Sequence, residues 1–187
     1  MFVFLLGAVP VGPVLARYVS DVSLQELGSG NTGATNVARV VGRYAGLATL
    51  LADIAKGVVG AGGGLWATGG IGGAWGCGIA AVLGHCFTPY LRWRGGKGVA
   101  TSFGVLLVTV PEVALCTIAV WGVIVGITRR SSAGALAALP VVVALTAWYA
   151  TEQTVWAALL AAVVLLRHAD NITRLVSGTE PGLQQEQ

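Results

Sequence analysis

Two stretches of this chain are too long and too poor in charge to suit a water-soluble fold. From Gly57 to Leu91 there is no Lys, Arg, Asp or Glu, and from Ser131 to Leu166 the only one is Glu152. A transmembrane helix needs about 20 mainly apolar residues to cross the hydrocarbon core, so each stretch is long enough for two spans. Only 10% of the chain is charged and 55% is hydrophobic, whereas soluble domains carry roughly 25% charge. Seven apolar segments qualify: residues 2–18, 44–66, 72–91, 98–110, 112–128, 132–149 and 154–167, of which the fourth and seventh are short. The expected fold is an all-α integral membrane protein of about seven transmembrane helices. No Lys or Arg precedes the first segment and Arg17 follows it, so it reads as a retained helix rather than a secretion signal.

Basic residues supply the orientation. Threading seven spans with the N-terminus outside places all 11 Lys and Arg at or near inward ends, as the positive-inside rule requires. The outward connections, near Gly69–Gly73, Pro111–Glu112 and Ala150–Gln153, contain none. A single long helix from Gly98 to Thr128 would force Arg129 and Arg130 outside, so a break near Pro111 is expected. Residues 1–187 then form a single polytopic domain, with cytoplasmic loops at about 19–43, 92–97 and 129–131 and a cytoplasmic tail over 168–187.

A net charge of +3 suits a membrane face near anionic lipid and phosphorylated solutes; a nucleic-acid partner would need a denser basic surface. Cys77, Cys86 and Cys116 lie in apolar segments without CxxC spacing, which points to neither a disulfide framework nor a zinc site. Nine of the 17 residues from Gly60 to Gly76 are glycine, a composition that permits close helix approach in a membrane.

Chemistry must sit on the polar connections, and three of them are unusual. Leu27–Gly42, LGSGNTGATNVARVVG, contains Gly28, Gly30 and Gly33 in GxGxxG spacing. No strand precedes it and no βαβ unit fits, so a dinucleotide fold is rejected. Asp53, twenty residues beyond Gly33, reads more simply as an ion pair with Lys56. What remains is an anion-binding concavity of backbone amides with Ser29, Asn31, Thr35 and Asn36, closed by Arg39. Gly84–Ser102, GHCFTPYLRWRGGKGVATS, fails the Walker A pattern because position 91 is Leu and Lys97 is followed by Gly98. It still offers Gly95 and Gly96 for close backbone approach, Lys97 as a mobile charge, and a helix start at Gly98–Ser102 that favours an anion. Arg92 and Arg94 suit headgroup anchoring, and His85 suits packing more than catalysis. Arg167–Gly182, RHADNITRLVSGTEPG, places His168 and Asn171 at i, i+3, with Arg174 extending the stripe. Ser132, after Arg129 and Arg130, is a lesser candidate that could be only a helix cap.

Together these loops resemble the bacterial membrane-bound acyl-phosphate:glycerol-3-phosphate acyltransferase family. Its motifs look like GSGNxGATNxxR, GHxF…GGKGVAT and HxxNIxRLxxGxE, matched by Gly28–Arg39, Gly84–Thr101 and His168–Glu180; Asp53, Lys56 and Gly57 match DxxKG. The chain departs where Thr88 precedes Pro89, and near Gly134 and Ala135. The resemblance implies acyl transfer from acyl phosphate to the 1-hydroxyl of sn-glycerol 3-phosphate, giving lysophosphatidic acid and phosphate, the first step of phospholipid synthesis. It implies Lys97, His168 and Ser29 as catalytic residues. Substrate contacts would come from Gly30, Asn31, Gly33, Thr35, Asn36, Arg39, Gly95, Gly96, Thr101, Ser132, Asn171, Arg174 and Glu180. No cofactor or metal is implied. Expected partners are the two substrates, membrane lipid and neighbouring enzymes of phospholipid synthesis, at the bacterial inner membrane with the active site facing the cytoplasm. The alternative from another class, a transporter or channel for a phosphorylated solute, predicts charge along a path through the membrane. Asp53 and Lys56 are the only candidates for that path.

Overall fold

In the computed structural model, which describes residues 1–183, every regular element is helical. The helices are α1 (Phe2–Ala8), α2 (Val11–Ser20), α3 (Ala34–Val40), α4 (Arg43–Thr68), α5 (Ile71–Cys86), α6 (Val99–Thr109), α7 (Pro111–Thr128), α8 (Ser131–Tyr149), α9 (Thr154–Leu166) and α10 (Ala169–Val176). Short 3₁₀ turns at Pro89–Leu91 and Thr151–Gln153 complete the set. Residues 184–187 of the expected tail lie outside the described residues.

All seven apolar segments are helical where expected, with two adjustments. The first is two helices, because Pro10 has no N–H to continue the ladder and the chain turns at Val9–Pro10. The third ends in helix at Cys86 rather than continuing to residue 91. Five segments are long and apolar enough to cross a bilayer: Phe2–Ser20, Arg43–Thr68, Ile71–Leu91, Pro111–Thr128 and Ser131–Tyr149. A sixth appears if the pair Thr151–Leu166 and Ala169–Val176, bent by 61°, counts as one. Helix α6, at 11 residues, is about 16 Å long at 1.5 Å per residue. It falls short of a hydrocarbon core of about 30 Å and is largely buried within the bundle.

The break near Pro111 forms: Val110 leaves helical geometry and Pro111 opens α7, where its missing N–H costs nothing. Glycines bring α4, α5 and α6 together. A methyl on Gly57 would overlap the Thr101 carbonyl, and one on Gly104 the Ile54 carbonyl, so α4 and α6 pack at backbone contact. The main apolar core joins Trp75 and Val82 of α5, Val105 of α6, Val113 of α7, Val142 of α8 and Leu160 of α9. Trp75 Nε1 donates to Gln153 Oε1 at 2.7 Å. That bond ties the start of α5 to the α8–α9 connection, so two of the connections without basic residues share one end of the bundle.

Candidate active site

At the opposite end the polar connections converge on one cavity. It is lined by Ser29, Asn31, Gly33, Thr35, Asn36 and Arg39 from the first loop, and by Lys97 with the start of α6. Ser132 from α8, His168 and Asn171 beside α10, and Glu180 of the tail complete it. Residues up to 152 positions apart in sequence thus face one space.

The first loop is shaped by its own side chains. Asn36 Oδ1 accepts from the Ser29 amide at 2.9 Å, while its Nδ2 donates to the carbonyls of Leu27 at 3.0 Å and Asn31 at 2.9 Å. Asn31 Oδ1 accepts from the Gly33 amide at 2.8 Å. This corrects the expected concavity of free amides, because two of those N–H groups are satisfied inside the loop. Gly30 stays exposed, outside the main cavity. Arg39 donates to Asn36 Oδ1 at 3.1 Å and to the Gly182 carbonyl at 2.7 Å, and its buried Nε has no partner among the described residues.

The Gly95–Gly96 turn is corrected in the same way. The Gly95 and Gly96 amides donate to the Cys86 and His85 carbonyls, both at 3.1 Å. Arg167 donates to the Gly96 and Gly95 carbonyls at 3.1 and 3.0 Å and stacks on Phe87. These glycines therefore admit His85, whose ring would collide with any side chain at position 96, rather than a ligand. Thr101 is also displaced from the site: it is fully buried against α4, away from the cavity lining. What the turn delivers is Lys97, followed by Gly98 at φ +81°, a left-handed conformation that only glycine adopts readily. Gly98 starts α6, and the first helical amides have no intrahelical acceptor.

Glu180 is the knot of the third connection. Its Oε1 accepts from Ser132 Oγ and Asn171 Nδ2, both at 2.6 Å, and its Oε2 from Arg174 Nε at 2.8 Å. Arg130 Nε donates to its backbone carbonyl at 3.2 Å. Glu180 and Arg174 thus engage each other and organise the wall, where the sequence suggested direct substrate contacts. Burial acts to raise the Glu180 pKa, but hydrogen bonds from Ser132, Arg174 and Asn171 outweigh it and hold the carboxyl below its ordinary value. Asn171 keeps a buried Oδ1 with no partner among the described residues.

Burial sets the other two charge states. The Lys97 ammonium is pushed down to about 8, first by desolvation and then by Arg174 and Arg167, against the pull of Glu180 and Asp170. His168 is pushed down to about 4, chiefly by burial. Its Nδ1 lies 2.8 Å from the Val164 carbonyl; a carbonyl accepts only, so Nδ1 carries the proton and Nε2 keeps a lone pair. Sequence reasoning gave no cavity role to Asp53, Trp121, Ser131 or Pro181 and a minor one to His85, yet all five line the cavity. Ser131 Oγ accepts from Thr35 Oγ1 at 3.3 Å; its position beside Ser132 was the available signal.

Two further spaces adjoin the cavity and share part of its lining. On one side is a polar vestibule that shares Ser29, Asn31, Lys97 and Asn171 and adds Arg94, Arg167 and Arg174. On the other is an apolar cleft between α6, α7, α8 and α9 that shares Val99, Ala100, Trp121 and Ala135 and runs on to Leu106, Val142 and Leu160.

The family model for glycerol-3-phosphate acyltransferase matches residues 1–178. This chain belongs to the glycerol-3-phosphate acyltransferase family. A member from Anaeromyxobacter sp. (strain Fw109-5) is 43% identical over 186 residues, covering 95% of this chain and 91% of that protein. One from Pseudomonas syringae pv. tomato is 38% identical, covering 96% and 93%. Among solved structures, PlsY (YgiH), an integral membrane glycerol 3-phosphate acyltransferase in its glycerol 3-phosphate form, superposes with a TM-score of 0.90. It shares 34% identity, with 97% of this chain and 92% of that chain covered. Its lysophosphatidic acid form gives 0.85 at 33% identity, with 97% and 91% covered. The chain is an acyltransferase of the integral membrane type.

Proposed function

We propose that this acyltransferase moves a fatty acyl group from acyl phosphate to the 1-hydroxyl of sn-glycerol 3-phosphate, within the cavity that joins the polar vestibule to the apolar cleft. That junction is the observation that carries the reading. A water-soluble phosphate ester can enter through the vestibule, while an acyl chain lies among Leu106, Val142 and Leu160. The lysophosphatidic acid and glycerol 3-phosphate forms of the related structure support both ends. A conduit would require charge continuing through the membrane, whereas the cleft beyond the cavity is lined almost wholly by apolar side chains.

Lys97 and the start of α6 hold the phosphate of the donor; Arg39, Ser132, His168 and Asn171 orient the acceptor. The 1-hydroxyl oxygen attacks the acyl carbonyl carbon, the carbon–oxygen bond to phosphate breaks, and phosphate leaves with the bonding electrons. Acyl phosphate is already activated, so orientation and charge stabilisation supply most of the acceleration. The hydroxyl proton passes to the departing phosphate, which becomes more basic as the bond breaks. His168, held near 4, is too weak a base to compete well at neutral pH, and its Nε2 serves better to accept the hydroxyl's hydrogen bond. The basic end of the bundle, with this cavity, faces the cytoplasm of the bacterial inner membrane, with the N-terminus outside.

The test is purified protein in lipid with acyl phosphate and labelled glycerol 3-phosphate, assayed for labelled lysophosphatidic acid beside Lys97→Ala. The expected result is product from the wild type and a loss of at least a hundredfold in the variant. No product, or undiminished product from the variant, overturns the reading.

A further inference from the structure

Below the cavity lies a charged cluster that the reaction does not use. Asp53 of α4 and His85 of α5 line both the cavity and a small polar void beneath it, beside the α1–α2 break. Asp53 Oδ1 sits 2.7 Å from Lys56 Nζ and 3.4 Å from His85 Nδ1, and all three side chains are at least nine-tenths buried. Lys56 Nζ also donates to the Val9 carbonyl at 2.6 Å, whose α-helical donor would be residue 13, a proline without an N–H. Such a cluster within a span is costly to desolvate and is weak evidence for stability by itself. A structural ion pair would need only Lys56 and Asp53. The third member, His85, points elsewhere.

The His85 ring lies against the Gly96 Cα, close enough that a methyl there would overlap Nε2, and its carbonyl accepts the Gly96 amide at 3.1 Å. Lys97 is the next residue. A lysine side chain is long and loses much rotamer entropy when fixed, so where its Cα sits decides how well the ammonium meets a phosphate. Arg167 grips the carbonyls of this turn, and His85 is what fixes it from below.

We propose that His85, oriented by Asp53, is a positioning residue that acts through the Gly95–Gly96 turn to hold Lys97 against the donor phosphate. The line of contacts runs from the Val9 carbonyl through Lys56, Asp53 and His85 to Gly96. It makes the break in the first span part of the site's foundation. The proposal rests on the reading of Lys97 as the donor-phosphate ligand. The proposal assigns His85 no proton transfer and no substrate contact.

The experiment is a double-mutant cycle of His85→Ala with Lys97→Ala, in purified protein with acyl phosphate varied and thermal unfolding measured alongside. The expected result is a loss of at least tenfold in kcat/KM for acyl phosphate in His85→Ala. The KM for glycerol 3-phosphate should move less than twofold and the shape of the pH–rate profile should not change. In the Lys97→Ala background the same change should cost less than threefold. Multiplying losses would overturn the coupling, as would the disappearance of a limb of the pH profile, which would make His85 a proton acceptor. Full activity in Lys97→Ala alone would overturn the reading of the site, a separate outcome. If His85→Ala unfolds, Gly96→Ala tests the same contact from the other side. It should lose at least tenfold in kcat/KM for acyl phosphate with a smaller fall in melting temperature than His85→Ala, and wild-type kinetics would overturn the proposal.

Discussion

If Lys97 must be charged to hold the donor phosphate, catalysis falls in alkaline solution far earlier than an ordinary lysine would allow. Burial at the mouth of α6 pushes its ammonium down to about 8. The charged form is the one disfavoured by desolvation, so the group is protonated below that value and neutral above it. One proton lost around pH 8 leaves about nine-tenths of the enzyme charged at pH 7 and about one-tenth at pH 9. Because kcat/KM reports ionisations of the free enzyme, kcat/KM for acyl phosphate should be flat near pH 7 and fall about tenfold by pH 9. Lys97→Arg keeps its charge throughout this range. Its absolute activity should drop, since a planar fork does not match a point charge, but its alkaline limb should move beyond pH 10. The assay is initial-rate lysophosphatidic acid formation across pH 6 to 10 with subsaturating donor. A limb near pH 8 that persists in Lys97→Arg, or no limb below pH 10 in the wild type, refutes the assignment.

Further outcomes follow from the cavity's walls. Glu180→Gln removes the charge from bonds to Ser132, Asn171 and Arg174, each worth roughly 1.5–3 kcal/mol; amide exchange over 178–183 should quicken at least tenfold while α4 and α5 stay protected. Val142→Trp fills the apolar cleft and should shift preference to acyl donors several carbons shorter, read as relative kcat/KM across a chain-length series. Gly57→Leu pushes α4 from α6 at the Thr101 carbonyl and should cost about 3 kcal/mol, the upper end of the usual overpacking range, seen as a lowered melting temperature in detergent. His168→Gln should lose less than about a hundredfold in kcat if the departing phosphate takes the proton; a loss of 10⁴ or more, the upper range for general-base catalysis, would make His168 the base.

Apolar runs and basic residues carried most of the architecture because hydropathy acts locally. Helices α4, α7, α8 and α9 begin and end within two residues of the expected spans, and the break at Pro111 forms where the positive-inside reading of Arg129 and Arg130 expects it. Pro10 is the visible signal for the split first span, set within an apolar run that begins at Phe2. The site was legible as motifs but not as geometry. Asn36 and Asn31 consume loop amides, Glu180 consumes Arg174, and His85 and Arg167 occupy both faces of Gly95–Gly96. Those pairings are 2 to 72 residues apart, and spacing alone cannot say whether a polar group will meet a ligand or a neighbour. Thr88 is instructive. It marks a departure from the motif the sequence resembles, and its hydroxyl donates to the Ala8 carbonyl at 2.7 Å, tying the loop entry to the break in the first span.

Acyl phosphate offers two electrophiles, its carbonyl carbon and its phosphorus, and the proposed reaction takes place at carbon. Glycerol 3-phosphate carrying ¹⁸O in its 1-hydroxyl decides between them in one mass-spectrometric measurement on the purified protein in lipid. Attack at carbon predicts lysophosphatidic acid that keeps the label in its ester and unlabelled inorganic phosphate. Lysophosphatidic acid without the label, or free fatty acid with a doubly phosphorylated glycerol, would contradict direct acyl transfer.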